Sequence, residues 1–315
     1  MLAATNKKKV LIVGDVMLDR YVIADEIRKS PEADIPLVYN YHFEDRLGGA
    51  ANVAINLKSL EIEPILFGII GNDDHAEQLE SLCQMHGLQH YFLTDSPRPT
   101  TLKSRVVDSA FNQLFRMDLE VTNDIDPELE QSVKEALNSI MAELVPDAII
   151  IQDYNKGLLT DSMIQYLQEK SNQLEIPLLV DPKSNNFNLL TTSTVFKPNL
   201  KELSAAVGYN IEPNDAAISE ALDKLGGHEE AIYIVTLAEH GIYYRSKAES
   251  AVIPGYEVEN ADVSGAGDTV LAVLTYGLLQ GLDPKAMASL GNLAGSIVCG
   301  KKGIHPIYLE ELVSE

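Results

Sequence analysis

Apolar positions along this chain fall into two kinds of pattern. Short runs rich in β-branched residues, at 10–13, 65–70, 148–151, 177–180 and 232–235, have the length and continuity of strands buried on both faces. Between them, the segments 50–60, 76–86, 129–144, 161–173 and 215–225 carry helical patterns. This alternation predicts an α/β fold, a doubly wound and mostly parallel sheet flanked by helices, with ligands outside the carboxyl ends of its strands. Asp15, Asp153, Asp181 and Thr236 fall at those ends.

Two segments, about 21–45 and 100–118, break the alternation. The second sets Leu102, Arg105, Val107, Phe111, Leu114 and Phe115 among polar residues. Both are expected to form a small β-sheet lid on a single domain spanning residues 1–315. A sheet of that size leaves its edges and one face uncovered, which predicts a homodimer through the lid.

Composition changes the picture in one respect. The 315 residues are 45% hydrophobic, enough for a substantial core, but the net charge is −23. That balance argues against nucleic acid or an anionic membrane as partner, since both need a basic face. An anionic small molecule would have to be caught by a local basic pocket. Cys83 and Cys299 lie far apart and read as free thiols, and the seven histidines (42, 75, 86, 90, 228, 240 and 305) show no metal-ligand spacing. Lys7 to Lys9 with the run 10–13 mimics the opening of a signal peptide, but Gly14 and Asp15 end it too early. No apolar stretch is long enough to span a membrane, so the expected location is cytoplasmic.

The richest stretch is Asp262, Val263, Ser264, Gly265, Ala266, Gly267, Asp268, Thr269, followed by an apolar run at 270–279 that reads as a helix. Successive N–H groups at a helix start form an anion cradle, and a carboxylate beside it can take the proton of an attacking hydroxyl. Together they suit phosphoryl transfer. Taken alone, the same residues also read as a glycine-rich turn with an N-capping Asp.

Four blocks act together: Val13, Gly14, Asp15; Gly48, Gly49, Ala50, Ala51, Asn52; Lys197, Pro198, Asn199 through Glu202; and Gly265 to Asp268. In order and spacing they resemble the ribokinase-like (PfkB) family of carbohydrate kinases over essentially the whole chain. Residues 14–21 (GDVMLDRY), 30–33 (SPEA), Arg46 with 48–54, 153–157 (DYNKG) and 181–183 (DPK) are most similar to the family's heptose 7-phosphate kinases. The resemblance implies an ATP-dependent enzyme that phosphorylates the anomeric hydroxyl of D-glycero-β-D-manno-heptose 7-phosphate to the 1,7-bisphosphate, a lipopolysaccharide core precursor. A kinase for another sugar or sugar phosphate, such as fructose or ribose, and a catalytically silent sugar- or nucleotide-binding regulator are the alternatives. Bifunctional relatives carry a nucleotidyltransferase domain after the kinase; no HxGH-type motif stands before Glu315, so that activity is not expected.

The resemblance also implies roles. Asp268 would be the general base, with Gly265, Ala266 and Gly267 as the anion hole. Asp15, Gly48, Gly49 and Asn52 would hold sugar hydroxyls, with Asp153 from the narrower motif among the substrate residues. Asn56, one turn beyond Asn52, reads as a structural or solvated amide. The sugar phosphate needs cations, and the candidates are Arg20, Arg46, Lys103, Arg105, Arg116, Lys156 and Lys183. Lys103 and Arg105 share one face of a strand, and Lys156 and Lys183 lie in the narrower motifs, so these four are preferred. Asn199 and Glu202 match the family's NxxE motif, which organises Mg²⁺ waters and nucleotide phosphates, although the pair also reads as a capping box. Asp181 would join the metal's outer shell. Thr236, Gly241 and Asn292 would contact the nucleotide. Asp262, Ser264 and residues 301–303 resemble the family's monovalent-cation loop, which implies K⁺.

Overall fold

The computed structural model describes residues 7–189, 192–226 and 230–313, and His228 lies outside them. In chain order the strands are β1 (Lys9–Gly14), β2 (Val16–Lys29), β3 (Pro36–Gly49), β4 (Glu63–Ile70), β5 (Gln89–Thr94), β6 (Leu102–Val107), β7 (Gln113–Leu119), β8 (Ala148–Gln152), β9 (Leu178–Asp181), β10 (Val195–Phe196), β11 (Ile232–Thr236), β12 (Ile242–Arg245) and β13 (Ser250–Ile253). The helices are α1 (Ala50–Ser59), α2 (Asp74–Met85), α3 (Pro127–Leu144), α4 (Asp161–Leu174), α5 (Leu200–Val207), α6 (Asp215–Lys224), α7 (Ala266–Leu279), α8 (Pro284–Cys299) and α9 (Leu309–Leu312).

Nine strands form the main sheet in the order β13-β12-β11-β10-β9-β8-β1-β4-β5, every pairing parallel except β11–β12 and β12–β13 at one edge, where β12 is reversed. Successive residues of a strand point to opposite faces. Val10 and Ile12 therefore join Leu66, Ile150 and Ile234 beneath residues of α1, α7 and α8, whereas Leu11, Val13, Ile65 and Ile151 pack against α3, α4 and α6. Burial of each such side chain contributes about 1.5–3 kcal/mol, and both faces must be apolar because both are covered. Side-chain caps start the covering helices: Asp126 for α3, Thr160 for α4, Asn214 for α6 and Asp283 before Pro284 for α8.

The second sheet has four strands in the order β3-β2-β6-β7. It is longer than the segment 21–45 suggests. β2 starts at Val16 with only Asp15 separating it from β1, and the β2–β3 ladder runs from Val16↔Gly49 to Lys29↔Pro36. Val16, Met17 and Leu18 are all buried, so they read as a continuation of the core and hide the start of the strand. The register gives the sheet two unlike faces. One carries Asp19, Lys103 and Asp118 in a row, then Tyr21, Arg105 and Arg116; the other carries Val22, Phe43, Val106 and Phe115, with Met117 opposite Ser104. Among the described residues, no helix is long and apolar enough to cross a membrane. Cys83 and Cys299 are both free thiols.

Candidate active site

α7 starts at Ala266, four residues before the apolar run at 270. Gly265 caps it at φ 74°, where a Cβ would lie 2.6 Å from the Asn52 Nδ2, so both the backbone angle and the contact demand glycine. The Ala266 N–H closes a turn onto the Val263 carbonyl at 3.3 Å; those of Gly265, Gly267 and Asp268 find no backbone acceptor among the described residues. These three, rather than the expected Gly265, Ala266 and Gly267, are the N–H groups left for an anion, and the helix end adds its partial positive charge.

Asp268 is 2% exposed at this helix start. Its Oδ2 accepts from Asn52 Nδ2 at 2.9 Å, and its Oδ1 accepts from Gln152 Nε2 at 3.0 Å and from the Tyr154 hydroxyl at 2.7 Å. Burial pushes the carboxyl up to about 6, opposed by the Asn52 and Tyr154 hydrogen bonds. Asn52, expected to hold the sugar, thus has its amide nitrogen on the carboxylate. Asn56 is wholly buried and structural, donating to the Asn52 carbonyl at 2.8 Å and accepting from Ile307 N–H at 3.0 Å.

Gln152 and Tyr154, which sequence reasoning passed over, flank Asp153 at the end of β8. The Gln152 amide also reaches Asp181 Oδ2 at 3.1 Å, and Lys197 Nζ meets the same oxygen at 2.9 Å. Asp15 Oδ2 accepts the N–H groups of Tyr154 and Lys156 at 2.8 and 3.1 Å. Burial, then the charge of Asp153, raise the Asp15 carboxyl to about 6. Among the described residues, Asp15 Oδ1 and Gln152 Oε1 are the buried side-chain atoms without a hydrogen-bond partner. A ligand hydroxyl would satisfy either.

Three groups of expected ligand residues already have protein contacts. The Asp153 carboxylate accepts from Asn155 N, Lys183 N and Asn186 Nδ2, which fixes the 3₁₀ turn Ser184–Leu189. A Cβ would lie 2.1 Å from Asp19 Oδ2 at Gly48 and 2.4 Å from the Asp15 carbonyl at Gly49, so neither position admits a side chain. Most of the cations are already paired. Arg105 meets Asp19, Lys156 meets Glu120 at 2.9 Å and Lys183 meets Glu202. Arg20 and Arg116 hold Asp45 and Asp118, and Arg46 donates to the carbonyls of Lys302 and Ile304. Lys103 differs: its Nζ lies 4.8 Å from the centre of the Tyr154 ring and makes no ion pair among the described residues, and burial lowers its pKa.

Asn199 and Glu202 form the capping box of α5, with Glu202 N–H on Asn199 Oδ1 at 2.9 Å and Asn199 N–H on Glu202 Oε2 at 3.0 Å. A backbone bridge joins Asn199 to Thr236. Gly241 and Asn292 both meet the segment at Pro254, the Asn292 amide donating to its carbonyl at 2.8 Å. Asp262 accepts from Ser264 N–H at 3.0 Å and Gly303 N–H at 2.8 Å, tying the 301–303 loop to the anion-hole turn. Among the described residues, no three acidic, His or Cys side chains form a cage for a metal. Burial, with the charge of Glu202, raises the Asp181 carboxyl against the pull of Lys197 and Lys183, an arrangement that fits Mg²⁺ held mainly by water and phosphate oxygens with carboxylates behind them.

Known proteins resemble this chain in sequence and in fold. The chain is 37% identical over 312 residues to the bifunctional protein HldE of Methylobacillus flagellatus, covering 97% of this chain and 62% of that protein. It is 34% identical over 300 residues to the protein of the same name from Helicobacter hepaticus, covering 95% and 62%. The chain thus spans a little over three-fifths of the length of these relatives. Among solved structures, phosphofructokinase-2 from Escherichia coli in complex with potassium superposes with a TM-score of 0.77 at 18% identity, over 97% of this chain and 96% of that one. A putative sugar kinase from Clostridium perfringens gives 0.72 at 16% identity, over 98% and 95%. At those identities the likeness is one of fold, ribokinase-like with a separate small sheet. The model of the pfkB family carbohydrate kinases matches residues 7–309, and the chain belongs to that family of sugar kinases.

Proposed function

We propose that this kinase transfers the γ-phosphoryl group of ATP to the anomeric hydroxyl of D-glycero-β-D-manno-heptose 7-phosphate. The observation that carries the reading is Asp268, a buried carboxylate at the start of α7 beside N–H groups with no backbone acceptor. The sugar hydroxyl gives its proton to Asp268 as its oxygen bonds to phosphorus, and the bond to the bridging oxygen breaks to release ADP. The N–H groups of Gly265, Gly267 and Asp268 meet the charge on the equatorial oxygens. Asp15 Oδ1 accepts a sugar hydroxyl. Lys103, Arg105, Lys156 and Lys183 supply positive charge for the sugar phosphate, with Lys103 the one that has no carboxylate to leave.

Glu202 and Asp181 stand behind Mg²⁺, which when bound neutralises phosphate charge. Asn199, Thr236, Gly241 and Asn292 border the nucleotide, and K⁺ bound at the Asp262 loop would order the anion-hole turn. The small sheet closes as a lid and excludes water. Its apolar outer face is covered by a second copy.

The test is an ATP-coupled assay with Mg²⁺ and K⁺ comparing the heptose 7-phosphate with ribose, fructose and fructose 6-phosphate. Turnover confined to the heptose phosphate supports the assignment, and preference for another sugar overturns it. Because Asp268 must be ionised to take a proton and its carboxyl sits at about 6, kcat/KM should rise with pH through about 6 and level off above it.

A further inference from the structure

Tyr154 touches both Asp268 and Lys103, a cation with no ion-pair partner among the described residues. Its backbone N–H is fixed on Asp15 Oδ2, its hydroxyl donates to Asp268 Oδ1 at 2.7 Å, and its ring meets two ammonium groups, Lys103 Nζ at 4.8 Å and Lys183 Nζ at 5.0 Å from its centre. Lys103 comes from β6 of the small sheet, and Lys183 from the turn after β9. One aromatic side chain therefore bridges the two sheets at the site.

The distribution of donors on Asp268 is uneven. Oδ1 receives two hydrogen bonds, from Gln152 and Tyr154, while Oδ2 receives the single strong one from Asn52. A carboxylate oxygen accommodates about two such bonds. Oδ1 is full, and Oδ2 retains a lone pair.

The geometry points to Tyr154 as a positioning residue with two separable duties: its hydroxyl saturates Oδ1 so that Oδ2 of Asp268 takes the acceptor's proton, and its ring seats Lys103 against the acceptor's phosphate. This rests on the reading of Asp268 as base. The phenol keeps its own proton throughout, consistent with burial and the Asp268 and Asp181 charges holding its pKa well above the ordinary value. Other charged groups facing Asp268 are Asp181 on β9, Lys197 after β10 and Lys103 on β6; Asp19 on β2 faces Tyr154. Tyr154→Phe changes none of these, so it isolates the hydroxyl.

The experiment compares Tyr154→Phe, Tyr154→Leu and Asp268→Asn on the sugar phosphate that the wild-type chain turns over, with circular dichroism to establish folding. Removing the hydroxyl removes a bond that lowers the base's pKa. The acid limb of kcat/KM in Tyr154→Phe should therefore move up by about one pH unit while KM for the sugar phosphate stays near wild type. Tyr154→Leu also loses the ring, and its KM should rise about three- to tenfold. In a Lys103→Met background that rise should vanish, a readout that a purely structural Tyr154 would not give. An unmoved acid limb in Tyr154→Phe, or a KM rise in Tyr154→Leu that persists without Lys103, overturns the proposal while an inactive Asp268→Asn leaves the base in place. Wild-type turnover in Asp268→Asn would remove the base reading itself, and this proposal with it.

Discussion

The two sheets of this molecule are built on opposite terms. In the nine-stranded sheet, Val10 to Val13 and Ala148 to Ile151 are wholly buried, helices cover both faces and the stability lies within the chain. The four-stranded sheet has a local cluster of only Tyr21, Ile23 and Val107 with Phe111, and it exposes Tyr39, Tyr41, Phe43, Phe115 and Met117 at 44% to 55%. Contiguous exposed apolar surface of that kind is the face on which the proposal of a second copy rests. The lesson is a division of labour. The large sheet holds Asp15, Gln152, Asp181 and, through α7, Asp268 in fixed relation, while the small sheet brings Lys103 to them.

The sharpest way to break this comparison is at the base. Asp268→Asn should lower kcat by about 10²- to 10⁴-fold with the fold intact, read in the coupled assay and by circular dichroism. The loss belongs to the large sheet's site, so a mutant turning over like wild type would show that the fixed constellation around α7 is not where the chemistry occurs. Next comes stability itself. Ile150→Ala in the buried strand β8 should cost about 2–5 kcal/mol in denaturant unfolding, whereas Met117→Ala on the outer face of β7 should cost little in the isolated chain. Equal costs at the two positions would erase the distinction.

Lys103→Met should raise KM for the sugar phosphate by about 10- to 100-fold and leave KM for ATP near wild type. Arg105→Met would be a muddier probe, because it also strands Asp19 without its partner. The smallest effect on chemistry should come from Phe43→Asp. Placed on the apolar face, its charge should shift light-scattering mass from dimer to monomer; a wild-type chain that is already monomeric would end the idea that a second copy covers this face.

Legibility in the sequence followed burial. β1, β4, β8, β9 and β11 announce themselves as continuous apolar runs because both of their faces are covered. β5 carries Gln89 and His90 on a sheet edge, β10 is only Val195 and Phe196, and α8 mixes Gly291 and Gly295 into its pattern, so none of these stood out. At the site, Asp15, Asn52, Asp268 and the Asn199–Glu202 box were visible because each belongs to a short local motif. Gln152 and Tyr154 were not. The carboxylate between them drew the attention, yet Asp153 is spent on the 183–186 turn while its two neutral neighbours reach Asp268. The Tyr in the DYNKG block was the available signal.

By itself the sequence determined the alternating architecture, the helix start that makes an anion cradle, and the presence of a second, differently patterned sheet. These are consequences of periodicity and of residue types acting within a few positions of each other. Tertiary structure decided which described cations remain without a carboxylate, which oxygen of Asp268 keeps a lone pair, and that Asp153 is held by the 183–186 turn. Those outcomes depend on pairings between separate elements, from 30 residues apart for Asp153 with Lys183 to 114 for Tyr154 with Asp268. Hydrogen bonds and charge pairs of that reach are set by where strands end in space, and no local pattern along the chain encodes them.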